Sequence, residues 1–322
     1  MLELDKATLA RLIEEKKPER VLVNCPPGIL VKCIEIVSSM AEEYGFEVIF
    51  SGEPCYGICD LAENEAFTLD VDLSIHIGHS ASSGIIGRST YLIEAYDDVD
   101  VIPVLKNALE RGLIEYKRLG LCSIGPHLHK LEEAKSFLES KYFEVFVGDE
   151  VPPLKNGQIF GCNFSTCTKI ASRVDAFIFV GSSRFHAIGL YNSLEKPVIM
   201  LDPYTREVVS VEKEALAIKK RLIFNFYKAT EAQKIGIIVG LKEGQYRIEE
   251  AFHLYKELKK VGRKAIMIAM REITNDKLNE FRDIEAFIET ACPRIGEDFF
   301  DKPVISLEYG HKLLEYLKRD KS

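Results

Sequence analysis

Hydrophobic positions in this chain come in short runs. Runs near 20–24, 47–50, 72–77, 99–104, 118–124, 143–147, 175–180, 197–201, 235–239, 264–269, 284–288 and 303–307 are rich in Val, Ile and Leu and predict strands. Between most of them apolar residues recur at helical spacing, as at Ile29, Cys33, Ile36, Val37 and Met40. Such alternation predicts parallel sheets covered on both faces by helices. The opening MLELDKATLARLIEEKK reads as an amphipathic helix, not a signal peptide.

Twelve strands divide into three sets of four, and the sets repeat in detail. Each opens on a basic residue and runs into a Gly- or Pro-containing turn: RVLVNCPPG from Arg20, RLGLCSIGP from Arg118 and KIGIIVGLKEG from Lys234. Each third strand is introduced by an aspartate, Asp72, Asp175 and Asp283, spaced 103 and 108 residues apart. Each fourth run carries a proline: VIPVL, KPVIML and KPVISL. A period near 100 residues is too long for a solenoid. It predicts three similar α/β domains, 1–105, 106–212 and 213–322, each with a four-stranded parallel sheet flanked by helices, around a central cleft. The joins are expected in helices at 106–117 and 211–230. Open parallel sheets bind ligands beyond the carboxyl ends of their strands, so the post-strand loops carry the function.

Composition narrows the classes. With 322 residues, 47% hydrophobic and 29% charged, the chain is an ordinary globular protein of more than one domain. No apolar run reaches the ~18 residues of a membrane span, so a cytoplasmic protein is expected. A net charge of −8 argues against broad nucleic-acid binding, which needs a basic footprint.

Eight cysteines without an export signal do not predict disulfides. Cys33 falls on a helix's apolar face, Cys122 inside a strand and Cys25 at the end of one, and all three read as core. Cys59, Cys162 and Cys292 differ. Each sits in a loop at a strand end, one per repeat, beside small or turn-forming neighbours: Tyr56-Gly57-Ile58, Gly161 and Pro293. Cys59 lies thirteen residues before Asp72, and Cys162 thirteen before Asp175. Three thiolates around one cleft suit zinc or an iron–sulfur cluster. Cys55 and Cys167 have no counterparts in the other repeats and read as neighbours. The C-x3-C-x2-C signature of common radical enzymes is absent.

Other loop residues are candidates for substrate binding. Gly181, Arg184 and His186 in GSSRFHAIGL lie where a helix should start, and its backbone N–H groups with Arg184 could hold a carboxylate or phosphate. His186 reads equally as a cap of that helix, and His79, after Gly78 and beside Ser80, has the same two readings. Asp202 and Tyr204 end the eighth run, and Arg294 follows Cys292. His127 and His129 read as helix-entry residues, His76 and His253 as packing residues. No general base can be named.

At YGICD (56–60), IHIGHS (75–80), GPHLHKLEEAK (125–135), FGCNFS (160–165), RFHAIGL (184–190), LDPYT (201–205) and TACPRI (290–295), the chain resembles the archaeal diphthamide-synthesis enzymes, nearly end to end. The resemblance implies three cysteines, one per domain, holding a 4Fe–4S cluster, and they map onto Cys59, Cys162 and Cys292. It implies a non-standard radical enzyme that cleaves S-adenosyl-L-methionine between sulfur and the methionine γ-carbon. The 3-amino-3-carboxypropyl group then passes to the imidazole C2 of a histidine in translation elongation factor 2, releasing methylthioadenosine. A homodimer and an external electron donor are implied too. Two alternatives share the cysteine pattern: a quinolinate-synthase-like 4Fe–4S dehydratase, and a non-enzymatic protein with a structural zinc.

Overall fold

The computed structural model describes residues 2–319. The twelve core strands are β1 (Arg20–Asn24), β2 (Glu47–Phe50), β3 (Leu73–Ile77), β4 (Thr90–Ile93), β5 (Arg118–Ser123), β6 (Glu144–Val147), β7 (Ala176–Val180), β8 (Val198–Leu201), β9 (Lys234–Gly240), β10 (Lys264–Met270), β11 (Ala286–Glu289) and β12 (Val304–Ser306). They form three sheets of one topology. The orders are β2-β1-β3-β4, β6-β5-β7-β8 and β10-β9-β11-β12, with every neighbouring pair parallel. The first two sheets each gain an antiparallel edge strand, Ile85–Ile86 beside β4 and Val208–Ser210 beside β8. The chain divides into two compact units, the first ending at Lys213 and carrying two sheets, the second starting at Glu214 and carrying the third.

The repeats rest on two physical devices, the first common to all three and the second to the last two. One is a clasp at the sheet's start. The Asp72 carboxylate accepts the backbone N–H groups of Glu19 and Arg20 at 3.0 and 2.8 Å. Asp175 accepts the Arg118 N–H at 3.1 Å and pairs with its guanidinium. In the third sheet Glu285, immediately before β11, accepts the N–H of Gln233 at 2.6 Å, while Asp283 only meets the Lys234 ammonium at 3.4 Å. The expected aspartate-led third strand is therefore corrected there: Glu285, whose side chain is one carbon longer, takes the position. The other device is a glycine opposite a phenylalanine. Gly120 pairs with Phe177 and Gly236 with Phe287 across neighbouring strands. A Cβ on either glycine would come within 2.4 and 2.7 Å of the ring. Each ring is fully buried in that space, worth about 2–3 kcal/mol relative to exposure.

Alternation along the strands gives each sheet two apolar faces. In the third sheet Ile235, Ile237 and Ile288 pack with Ala251, Leu254 and Leu313, while Ile238 and Phe287 pack with Leu278 on the other side. In the first, Val21, Val23, Ile75 and Ile77 pack with Leu9, Cys33 and Val37.

Three local expectations are corrected. The run at 99–104 is not a strand: Asp100 accepts the Ile102 N–H at 2.9 Å and starts the helix Ile102–Glu110. Pro103 sits in its first turn, where no N–H is needed. The fourth strand is instead the polar-flanked Thr90–Ile93. The opening helix is Lys6–Lys16, preceded by a short strand, Leu2–Leu4, that pairs with Ala95–Asp97. His253 is exposed on the helix Ile248–Lys260, whose buried face is Ala251, Leu254 and Leu258. The helix Glu212–Glu231 lies where the second join was expected. Among the described residues no helix is long and apolar enough to cross a membrane.

Candidate metal centre

None of the eight cysteines is in a disulfide, and burial sorts them into two groups. Cys25, Cys33, Cys55, Cys122 and Cys167 are buried, whereas Cys59 and Cys292 are half-buried and Cys162 is exposed. The Cys33 thiol is pushed up by its hydrogen bond with Cys25 and then by burial. Burial, then the Cys167 neighbour, pushes up Cys122. Such thiols stay protonated, and it is the thiolate that binds metals.

Cys59 lies in the loop 51–62 after β2. The loop is pinned from inside by Cys55, Asp60, Leu61 and Ala62, all buried. Asp60 accepts the Tyr56 N–H at 2.7 Å, and its own N–H donates to the Gly57 carbonyl at 3.0 Å. This turn leaves Tyr56 72% exposed and puts Gly57 beside the Cys59 sulfur, where a Cβ would lie 3.7 Å away.

Cys162 lies in the long loop after β6. A bridge between Phe160 and Asn163 folds the strip back on itself. Gly161 is pressed against the Phe185 ring: a Cβ there would come within 2.0 Å of it. Phe185 belongs to the helix Arg184–Leu194 after β7, so the Cys162 loop rests on that helix's first turn. His186 meets the Ser183 hydroxyl at 2.7 Å and stacks on Phe179, and the N-cap Ser183 makes no side-chain cap bond to the helix backbone. Arg184 is exposed and reaches Glu207 at 4.0 Å. Gly181, at the end of β7, is buried.

The strand-end loops of the first two sheets meet. Gly78 closes β3 at φ +100°, a backbone conformation that favours glycine, and a Cβ on it would meet the tip of the Ile29 side chain at 2.5 Å. The Ser80 carbonyl accepts the Gln158 amide at 2.6 Å, and Gly125 approaches so closely that a Cβ would meet the Ser80 hydroxyl at 2.6 Å. His79 faces inward, its Nδ1 2.7 Å from His76 Nε2. Burial holds both rings well down, at about 4 and about 3.

A separate polar cluster forms at the end of β8. Buried Asp202 accepts the Tyr204 N–H at 2.9 Å. The Tyr204 hydroxyl donates to Asp97 and lies 3.5 Å from His127 Nε2. Burial and the Asp97 carboxylate push the tyrosine up, so it stays protonated. Sequence reasoning missed Asp97 and Gln158 as members of these clusters. Each lies more than 70 residues from its partner, and neither belongs to a recognisable motif.

In the second unit, Cys292 follows β11 and the fully buried Glu289. The Glu289 carboxyl accepts the Ala291 N–H at 2.9 Å and is hydrogen-bonded to the Cys292 backbone, while burial raises it to about 8. Arg294 is buried and pairs with Glu297 at 2.6 Å, which fixes the far side of the Cys292 turn.

A family model described as "Putative diphthamide synthesis protein" matches residues 25–314. The chain is 36% identical over 312 residues to the 2-(3-amino-3-carboxypropyl)histidine synthase of Pyrococcus horikoshii, covering 94% of this chain and 88% of that protein. It is 26% identical to subunit 1 of the corresponding synthase from Kluyveromyces lactis, over 94% of this chain and 73% of that one. The crystal structure of Dph2 from Pyrococcus horikoshii with a 4Fe–4S cluster superposes with a TM-score of 0.86 at 34% identity, over 98% of this chain and 92% of that one.

Proposed function

The chain belongs to the diphthamide synthesis protein family, and from that premise we propose that it is a 2-(3-amino-3-carboxypropyl)histidine synthase. It is a transferase of the first step of diphthamide biosynthesis, with a 4Fe–4S cluster as cofactor and S-adenosyl-L-methionine as cosubstrate. The group transferred is 3-amino-3-carboxypropyl, and the acceptor is the imidazole C2 of a histidine in elongation factor 2. The working form is a cytoplasmic homodimer served by a separate electron donor.

Cys59, Cys162 and Cys292 hold the cluster. The observation that carries this is burial: of eight cysteines, these three are the ones not buried, and each lies on a loop beyond the carboxyl end of a parallel strand. The donor set fits an iron–sulfur cluster, since thiolates are its usual ligands, while the Cys33 and Cys122 thiols are held protonated. When bound, the cluster supplies the electron and an open iron site. The chain supplies position. Gly57 lies beside the Cys59 sulfur and Gly161 lets the Cys162 loop rest on Phe185, and the first turn of Arg184–Leu194, with Arg184, offers N–H donors and a guanidinium for the methionine carboxylate. Tyr56, His79, Ser80, Gly181, His186, Asp202, Tyr204 and Arg294 complete the substrate surface in this reading. Three repeats, 1–105, 106–212 and 213–322, each supply one thiolate.

The test is iron per chain in single alanine variants after anaerobic reconstitution. Cys59→Ala, Cys162→Ala and Cys292→Ala should each lose most iron, while Cys33→Ala and Cys122→Ala keep it. Full iron in any of the first three would remove that residue from the ligand set.

A further inference from the structure

A second group of metal-ligating atoms lies beneath the Cys59 loop, made of residues the cluster does not use. Cys55 Sγ, His76 Nε2 and His79 Nδ1 all lie within 4.8 Å of one another. Cys55 Sγ is 3.8 Å from His76 Nε2, which is 2.7 Å from His79 Nδ1. Cys55 is 2% exposed, His76 is fully buried and His79 is half-buried. We propose that Cys55, His76 and His79 form a zinc site, separate from the iron–sulfur cluster.

The donor chemistry selects the ion. One thiolate and two imidazoles are a borderline-soft set that suits zinc, whereas a cluster wants more sulfur. The spacing is close to what zinc requires. Bond lengths of about 2.3 Å to sulfur and 2.05 Å to nitrogen at a tetrahedral ion put sulfur and nitrogen about 3.6 Å apart, and two nitrogens about 3.3 Å apart. The sulfur–nitrogen distance of 3.8 Å already matches, and the imidazole pair at 2.7 Å must open by about 0.6 Å. In the ion-free state one ring donates its N–H to the other; on zinc binding that proton moves to the far nitrogen of its own ring, and the proton released is that of the Cys55 thiol. His79 is also prepared for the role, because its ring is hydrogen-bonded to the Tyr56 backbone. A ligating histidine usually makes such a second bond, which fixes its orientation. The backbone supports the placement as well. His76 is held in the middle of β3, and the φ of Gly78 turns the chain so that His79 folds back over it. The fourth position is left to water. Zinc bound here ties the Cys59 loop to β3.

The test uses the whole chain, purified anaerobically with its iron and dialysed against added zinc. Zinc and iron are measured together by mass spectrometry. Wild type should hold one zinc per chain beside its iron. Cys55→Ala and His79→Ala should lose it, with affinity falling by more than the roughly 10–100-fold that loss of an outer hydrogen bond costs, while iron is unchanged. Because a buried substitution can disturb folding, cobalt(II) provides a second reading. A full chain carrying Cys59→Ala, Cys162→Ala and Cys292→Ala, titrated with cobalt, should show tetrahedral visible bands and a thiolate charge-transfer band. Wild type without zinc above background, variants that keep it, or a cobalt spectrum without the thiolate band would each overturn the site and leave a hydrogen-bonded histidine pair. Iron is read separately, so failure of this site and failure of the cluster assignment are distinguishable.

Discussion

Gly148→Ala tests how the Cys162 loop is held. Gly148 follows β6 directly and lies against Thr166, four residues past Cys162. A Cβ at this glycine would sit 2.0 Å from the Thr166 carbonyl oxygen, 2.5 Å from its carbon and 3.2 Å from its Cα. To accept an alanine, the oxygen must withdraw from 2.0 Å to the 3.4 Å of ordinary contact. The atom struck is backbone, in the short helix Ser165–Ile170, so no rotamer change relieves it. The Thr166 hydroxyl also donates to the Gln158 carbonyl at 2.7 Å and must move too. Overpacking costs about 1–3 kcal/mol, and a backbone collision belongs near the top, at about 2–3. For a unit of this size each kcal/mol lowers Tm by about 2–4 °C, so a fall of about 4–12 °C is expected. Gly52→Ala is the control: nothing lies within 4 Å of its Cβ position, and its stability should stay within about 0.5 kcal/mol of wild type. Thermal unfolding of the cluster-free chain gives the stability, and iron per chain after reconstitution gives the state of the Cys162 loop. Both should fall in Gly148→Ala. A Tm within 2 °C of wild type with full iron would refute the reasoning.

Four further outcomes are expected. Arg184→Ala should weaken S-adenosyl-L-methionine binding, read by equilibrium dialysis, with the cluster spectrum intact; unchanged binding would remove Arg184 from the site. Asp175→Ala should destabilise more than Arg118→Ala in urea unfolding, because it also strips the Arg118 backbone N–H of its acceptor, whereas the exposed ion pair alone is worth about 0–1 kcal/mol. Burial holds His127 below the ordinary imidazole range despite Asp97, so the unfolded chain binds a proton first as pH falls below about 6.5. The stability this histidine contributes is therefore present above about pH 6.5 and lost on acidification, and His127→Asn should flatten that part of a urea-midpoint profile. Tyr204→Phe should lower stability by about 0.5–1.5 kcal/mol through the lost bond to Asp97, and an unchanged urea midpoint would count against that bond.

Most of the architecture was legible because buried parallel strands are continuous apolar runs, and eleven of the twelve expected runs hold a strand. The exception, 99–104, shows why composition alone misleads. Val101, Val104 and Leu105 are buried, but as the inner face of a helix started by Asp100. Five apolar residues do not distinguish the two periods. The repeat was legible through its clasps, and the third failed only in which acid carries it, Glu285 rather than Asp283. The three accessible cysteines stood out by their glycine- and proline-flanked loops. Local motif could not show what lies around them. The pressing of Gly161 on Phe185, the bond from Gln158 to Ser80 and the meeting of Tyr204 with Asp97 join segments distant in sequence. The His76–His79 pair was divided in the sequence reading between packing and binding, because spacing does not reveal that Gly78 turns the second ring back onto the first.

The proposed reaction turns on which carbon–sulfur bond of S-adenosyl-L-methionine is broken. The direct measurement is product analysis on reduced, anaerobic protein given S-adenosyl-L-methionine labelled in the methionine carboxylate, together with elongation factor 2. The expected result is release of methylthioadenosine, with the label on a histidine of the elongation factor. Release of 5′-deoxyadenosine and methionine, with no label on the protein, would contradict it.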